Sequence, residues 1–191
     1  MSRIICESGL HFGAFEESDL FDIENSELYK SLGKGVRSVE FVLHKNNSEV
    51  LFIEAKPSFP KPGNHVDFDE FIDVVFEKFT HALIIFFSVV LKKLDDKKLE
   101  VPLCFKEMDY RKAKVKLLLV INGHEVSWLE AINAALNIRL ERQIKIWKLE
   151  LRVMGGSGLK ALNNLNLAVM NHELAEEYGL LYDIACGGIK K

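Results

Sequence analysis

Glu54 and Lys56 follow a strongly apolar segment and could act together on a phosphate group. Residues 50–55 are rich in β-branched and aromatic side chains, which predicts a strand. Side chains two positions apart in a strand project to the same face, so we expect Glu54 and Lys56 to share one. A carboxylate can bind a divalent cation, and an ammonium group can stabilise negative charge on a reacting phosphate.

A second acid, Glu40, lies on the preceding apolar segment. Residues 36–43 also predict a strand, and the turn-like residues 45–48 predict that the two strands form an antiparallel β-hairpin. Pairing across the turn brings Glu40 near Glu54. Two carboxylates this close repel each other unless a cation or a proton lies between them. A proton would relieve this repulsion, and so would a divalent cation such as Mg²⁺, or Mn²⁺ in its place, which hydrolysis of a phosphodiester would need.

These acids and the sequence Glu54-Ala55-Lys56 resemble the metal-binding motif of the PD-(D/E)xK nucleases. That family has an acid on one strand and (Asp or Glu)-x-Lys on the next, inside an α-β-β-β-α-β core, and the resemblance covers residues 25–121. It implies that Glu40, Glu54 and Lys56 are catalytic and that Glu40 and Glu54 bind the metal. It also implies a third acidic ligand near the first helix, for which Glu24 and Glu27 are the candidates and Glu27 is our prediction.

The chain departs from the family pattern at several positions. The usual aspartate of the first strand is replaced by Glu40, and no Pro-Asp dipeptide precedes the motif. The glutamine-bearing helix motif of the RecB-like branch is missing, because the only glutamine is Gln143. Lys78 or His81, on the predicted long helix, could occupy that side of a cleft.

The resemblance implies a metal-dependent nuclease that hydrolyses phosphodiester bonds of DNA, in restriction, repair or defence against mobile elements. RNA is not excluded as the substrate. The alternative is a catalytically inactive nuclease-like protein, or another α/β interaction module, that dimerises. Glu54 and Lys56 could also be an exposed ion pair on a sheet edge, but their neighbours are apolar on both faces of the strand, which makes an isolated charged pair costly there.

Other polar residues carry weaker signals. Glu49 is interpreted as a solvated turn residue and His44 as a hydrogen-bonded surface histidine. His124 and Glu125 follow a predicted buried strand, where α/β proteins often bind ligands, but a plain loop is the better interpretation. The glycine-rich residues 155–158 lack the spacing of a nucleotide-binding P-loop.

The predicted elements describe an α/β fold, namely a restriction-endonuclease-like α-β-β-β-α-β sandwich with a mixed central sheet and additional C-terminal helices. We expect residues 1–191 to form a single domain of this kind. Besides the hairpin, the periodicity predicts helices over 25–32, 67–94 and 127–140, strands over 115–121 and 144–153, and closing helices after residue 158.

Composition narrows the classes of partner. The net charge of −3 excludes a uniformly basic surface, so a polyanion would have to meet a local patch. Such a patch is predicted around Lys34, Arg37, Lys56 and Lys61. The three dispersed cysteines favour a reducing cytoplasm. The apolar residues 82–91 are too few for a membrane span, which takes about 20 residues, and predict instead a buried helix or a homodimer contact.

Overall fold

The computed structural model describes residues 1–46, 48–122, 126–155 and 169–171, which form an α/β structure. Its strands are β1 (Ser2–Glu7), β2 (Leu10–Glu16), β3 (Leu20–Phe21), β4 (Phe41–Lys45), β5 (Glu49–Lys56), β6 (Lys114–Ile121), β7 (Glu150–Gly155) and β8 (Val169–Asn171). Its helices are α1 (Glu27–Ser31), α2 (His65–Val90), α3 (Leu103–Glu107), α4 (Val126–Arg139) and α5 (Glu141–Trp147), with a 3₁₀ helix at Glu17–Asp19.

The central element is a five-stranded mixed sheet in the order β3-β4-β5-β6-β7. Strands β3, β4 and β5 are antiparallel, and β5, β6 and β7 are parallel. The predicted hairpin is confirmed, with Phe41 opposite Ile53 and Leu43 opposite Leu51. The helix α2 connects β5 to β6, so the proline-rich exit from β5 leads into a crossover between parallel strands.

Both faces of the central sheet are covered. Phe52 belongs to the core on the helical side, where its ring meets Phe86 of α2 at 5.2 Å between centroids. Ile53 and Phe41 belong to a second core beneath β1 and β2, where Phe12 lies 5.4 Å from Phe41. The alternation along β5 therefore directs its even-numbered side chains, including Glu54, towards α2.

The strand predicted over residues 36–43 begins later, at Phe41. The backbone N–H of Arg37 donates to Nδ1 of His81 at 3.1 Å instead of to a neighbouring strand. The carbonyl of Glu40 accepts from the N–H of Glu24 at 3.5 Å, whereas the N–H of Glu40 still donates to the carbonyl of Ile53 at 3.1 Å. Long-range partners that local sequence does not reveal therefore hold this segment outside regular strand pairing.

The prediction of a strand over residues 144–153 is wrong in its first half, which belongs to the helix α5. Lys145 pairs with Glu141 one turn earlier, a spacing that supports a helix. The helix ends at Lys148, whose φ of 53° is left-handed, and β7 then begins at Glu150.

The remaining helix predictions hold with shifted ends. Helix α1 is capped by Ser26, whose hydroxyl accepts from the N–H of Tyr29 at 3.1 Å. Helix α2 spans His65–Val90 rather than residues 67–94, and α4 corresponds to the helix predicted over residues 127–140. The predicted closing helices fall in residues 159–191, of which the structure describes only the short strand β8.

The apolar residues 82–91 lie mostly in the core of the helical side. Ala82 and Phe86 are completely buried, but Ile84 and Leu91 are 59% and 63% exposed. Within the described residues, none of the helices combines the length and the apolar character that crossing a membrane would need.

Candidate functional site

Strand β5, helix α2 and the segments that precede α1 and β4 bring five charged side chains together. Glu54 lies on β5 and faces α2, and Glu40 lies beside it across the hairpin, held by its N–H bond to Ile53 at 3.1 Å. The ammonium group of Lys56 lies 2.7 Å from Oε1 of Glu54. The three residues predicted from the motif therefore lie in one place.

Lys78 of α2 adds a second ammonium group to these carboxylates. Its Nζ lies 2.9 Å from Glu54 Oε1, 3.4 Å from Glu40 Oε1 and 3.8 Å from Glu24 Oε1. One cation thus lies among three carboxylates from three separate segments. We call the set Glu24, Glu40, Glu54, Lys56 and Lys78 the acid–lysine cluster.

Exposure increases from the floor of the acid–lysine cluster to its rim. The side chain of Glu54 is 0% exposed and that of Glu40 is 7% exposed. Lys56 and Glu24 are 22% and 37% exposed, respectively. A ligand from solvent would therefore meet Lys56 and Glu24 first and would reach Glu54 last.

Both oxygens of Glu54 are engaged by ammonium groups. Its buried Oε1 lies 2.7 Å from Nζ of Lys56 and 2.9 Å from Nζ of Lys78, and Oε2 accepts from Lys78 at 3.1 Å. These two cations offset the cost of burying the carboxylate. Mg²⁺, which prefers oxygen ligands, would have to displace an ammonium group to bind here.

The pKa values in the acid–lysine cluster reflect burial and crowding. Burial, a hydrogen bond with Glu24 and the charge of Glu54 raise the pKa of Glu40 to about 9, against the opposing charge of Lys78. Burial also raises the pKa of Glu54, although Lys78 and Lys56 oppose that shift. Burial by itself would lower the pKa of Lys78, but Glu54 and Glu40 together raise it. These causes favour the protonated form of Glu40, with Glu24 as its hydrogen-bond partner.

The raised pKa of Glu40 gives a prediction for stability against pH. Above its ordinary pKa of 4.5 the unfolded chain releases this proton, whereas the folded chain keeps it up to about pH 9. The free energy of unfolding should therefore fall across this window, with a limiting slope of about 1.4 kcal/mol per pH unit for one proton. Urea unfolding from pH 5 to 9 should give a shallower slope for Glu40→Gln, and equal slopes for the two proteins would contradict the assignment.

The third acid of the acid–lysine cluster is Glu24, and Glu27 lies elsewhere. The carboxylate of Glu27 lies 3.7 Å from Lys30 and 3.7 Å from Lys98, both at the surface. Glu24 precedes α1 and is aligned by its N–H bond to the carbonyl of Glu40. Of the two candidates, Glu24 lies beside Glu40 and Glu54. The prediction that Glu27 lies beside these acids is therefore corrected, because Glu27 pairs with surface lysines.

Of the two residues suggested for the helix side, Lys78 reaches the acids and His81 does not. Nδ1 of His81 accepts the N–H of Arg37 instead. The spacing of Lys78 in the sequence could have identified it. It lies three residues after Val75 and four before Ala82, so it shares a helix face with two apolar residues, both of which are completely buried in the structure. A lysine on this apolar stripe needs an acidic partner inside the fold.

The other candidate residues have separate environments. Glu49 is not simply solvated, because it pairs at 2.6 Å with Lys116 and both side chains are largely buried. His44 is hydrogen-bonded to Asp19 at 3.0 Å. Arg37, from the predicted basic patch, pairs with Glu77 at 2.8 Å. The candidates His124 and Glu125 lie outside the described residues.

Comparison of the chain with protein-family models, with curated proteins and with solved structures gave no match. A function can therefore be inferred only from the geometry and chemistry of the acid–lysine cluster.

Proposed function

We propose that the protein is a metal-dependent nuclease of the PD-(D/E)xK type that acts on DNA in the cytoplasm. The observation that carries this proposal is the convergence of Glu40, Glu54 and Lys56 at one end of the β4-β5 hairpin. Strand geometry and the resemblance to the family motif both predict this convergence, and Lys56 lies 2.7 Å from Glu54. Glu24 supplies a third carboxylate at the rim.

The strand order also supports the proposal. The antiparallel strands β3, β4 and β5, the helix α2 and the parallel strand β6 follow the β-β-β-α-β part of the family core. The short helix α1 lies between β3 and β4 instead of before the three strands, and this is a departure from the pattern. Glu54 and Lys56 nevertheless lie on β5, as the family pattern requires, and Glu40 immediately precedes β4.

The donor set suits the proposed metal. Glu40 and Glu54, with Glu24 at the rim, would hold Mg²⁺ or Mn²⁺ through oxygen atoms. When bound, the ion would polarise a phosphoryl oxygen and acidify a water molecule. Binding would require Glu40 to release its proton and Lys78 to move away from the carboxylates, because the ammonium group now lies among them.

The protein's own groups account for the other parts of the reaction. In hydrolysis the attacking water loses a proton to solvent and its oxygen forms a bond to phosphorus, while the bond from phosphorus to one ester oxygen breaks and that oxygen takes up a proton from solvent. Lys56, at the partly exposed edge of the acid–lysine cluster, would donate hydrogen bonds to the phosphate and stabilise the charge that develops on it. Glu54, at the floor, would keep Lys56 oriented through their ion pair.

We propose a nucleic acid as the substrate class, because the partly exposed Lys56 could contact a phosphate while the buried acids Glu40 and Glu54 hold a metal ion beside it. Lys34 and Lys61, both exposed, belong to the predicted basic patch that would contact backbone phosphates. We propose DNA as the polymer, and RNA is the alternative that the cleavage assay includes.

Lys56→Ala should separate metal binding from cleavage. The substitution removes a cation that competes with the metal, so Mn²⁺ affinity measured by calorimetry should stay equal or rise. Cleavage of plasmid DNA, single-stranded DNA and RNA in Mg²⁺ should fall by about 10²–10³-fold, as for the loss of one donor to a reacting oxyanion.

The matched control for this variant is Lys97→Ala, which removes an exposed lysine away from the acid–lysine cluster. Lys97→Ala should leave both quantities unchanged. Cleavage by Lys56→Ala at the wild-type rate would refute the role assigned to Lys56.

A second candidate function is a nuclease-like binding module without catalysis. The observation that favours it is Lys78, whose ammonium group already neutralises Glu54 at 2.9 Å. In this case the exposed apolar side chains Ile84 and Leu91 would contact a second copy of the chain. Light scattering over a concentration series measures that association, and a mass that stays monomeric at every concentration would oppose it.

A further inference from the structure

Asp19, His44 and Cys104 form a second cluster of metal-binding side chains, separate from the acid–lysine cluster. They come from the 3₁₀ helix, from β4 and from α3. One potential ligand atom of each residue lies within 4.8 Å of those of the other two. Three segments that are distant in the sequence therefore direct donor atoms to one point, as a metal site built by folding requires.

The contacts of these three residues show how the donors are held. Nδ1 of His44 lies 3.0 Å from Oδ1 of Asp19. The thiol of Cys104 donates to the carbonyl of Ser18 at 3.0 Å, which brings the sulfur to the 3₁₀ helix. The ring of Phe105 meets the ring of His44 edge-on at 5.8 Å. The His44 side chain is only 9% exposed, whereas that of Asp19 is 41% exposed, so the cluster has an apolar wall and one open side.

We propose that Asp19, His44 and Cys104 bind a Zn²⁺ ion, with a solvent molecule in the fourth position. A thiolate, an imidazole and a carboxylate are the ligands that Zn²⁺ takes, whereas Mg²⁺ and Ca²⁺ prefer sites built only from oxygen. Binding forms a bond between zinc and sulfur, breaks the hydrogen bond from Cys104 to Ser18, and releases the thiol proton to solvent. The open side at Asp19 leaves room for the fourth ligand.

This site is independent of the proposed nuclease site in both position and chemistry. His44 and Glu40 point to the same face of the sheet but are four residues apart, which corresponds to about 13 Å along a strand. The acid–lysine cluster offers carboxylates and ammonium groups and contains no sulfur. Zn²⁺ held by residues 19, 44 and 104 would link the 3₁₀ helix, β4 and α3, so its expected effect is on stability.

Titration with Co²⁺ and Zn²⁺ tests the proposal on the intact protein. One equivalent of Co²⁺ should give the absorption band of a cobalt–thiolate bond, and Zn²⁺ should displace it and raise the melting temperature. Cys104→Ser should lose the band. Asp19→Asn and His44→Gln should keep it but should each weaken Zn²⁺ binding by at least about tenfold, the lower limit seen when even an outer-shell partner is lost.

Matched controls remove the same chemical groups elsewhere. Asp69→Asn and His65→Gln alter exposed side chains of α2 and should bind Co²⁺ as the wild type does. Glu54→Gln should also keep the cobalt band, which separates this test from that of the nuclease proposal. Absence of a cobalt–thiolate band in the wild type, or an unchanged band in Cys104→Ser, would overturn the zinc site.

Discussion

Glu54→Gln is expected to abolish both divalent-cation binding and cleavage while the fold is retained. The carboxylate of Glu54 is the most deeply buried of the three acids, because its side chain is 0% exposed. Removing its charge takes away the central ligand, and cleavage should fall by at least about 10³-fold, equivalent to roughly 4 kcal/mol of transition-state stabilisation. Loss of the Glu54 charge should also lower the pKa of Glu40, although burial and the hydrogen bond with Glu24 continue to raise it.

Thermal unfolding with and without Mg²⁺ measures the binding part of this prediction. At 100 times the dissociation constant, ligand linkage adds about 2.7 kcal/mol, or roughly 5–10 °C for a domain of this size. That increase should occur in the wild type and in the control Glu70→Gln, which changes an exposed acid of α2. An equal increase in Glu54→Gln would place the metal elsewhere.

Lys78→Met is expected to destabilise the protein strongly without metal and to make its stability depend on metal. Lys78 lies within 4 Å of Glu24, Glu40 and Glu54. Its loss leaves the buried carboxylate of Glu54 with Lys56 alone, and breaking a buried ion pair from one side costs about 3–5 kcal/mol. A divalent ion no longer has to displace an ammonium group, so Mg²⁺ should stabilise this variant more than it stabilises the wild type.

The matched control is Lys116→Met, which breaks the other largely buried lysine–glutamate pair, with Glu49 at 2.6 Å. Both variants should lose stability in chelator, measured by urea unfolding, but only Lys78→Met should regain it when Mg²⁺ is added. Recovery of both variants, or of neither, would contradict the assignment of the acid–lysine cluster as a metal site.

The hairpin and its acids could be predicted from the sequence because their signals are local. Runs rich in β-branched and aromatic residues, a polar turn and a proline stop predict the pairing of β4 with β5, and the pairing determines that Glu40 lies beside Glu54. The parity of Glu54 and Lys56 then follows from the geometry of a strand. This part of the site depends on few long-range contacts.

The rest of the site depends on how distant elements dock. The choice between Lys78 and His81 depends on how α2 is rotated about its axis where it packs on the sheet. The periodicity of the sequence predicts which face of α2 is apolar, but it does not predict which polar side chain of α2 reaches the acids. The choice between Glu24 and Glu27 depends on the bond that joins Glu24 to Glu40, which are far apart in the sequence. The late start of β4 has the same kind of cause, because Arg37 bonds to His81 of α2.

The interpretation of residues 144–153 as one strand failed for a different reason. Its first four residues, Ile144 to Trp147, are too few for periodicity to separate a strand from a helix. In the structure they belong to a helix in which Lys145 pairs with Glu141, and the left-handed Lys148 ends that helix before β7. The sequence pattern does not specify the backbone conformation of Lys148.

The most direct test of the proposed function is divalent-dependent hydrolysis of DNA by the wild-type protein beside Glu54→Gln. Plasmid DNA, single-stranded DNA and RNA are incubated with each protein in Mg²⁺, in Mn²⁺ and in chelator, and the products are resolved by gel electrophoresis. We expect the wild type to cut DNA only when a divalent ion is present, and Glu54→Gln to cut none of the three substrates. A wild-type protein that binds the ion but leaves all three intact, or a Glu54→Gln protein that cuts DNA as fast as the wild type, would contradict the proposal.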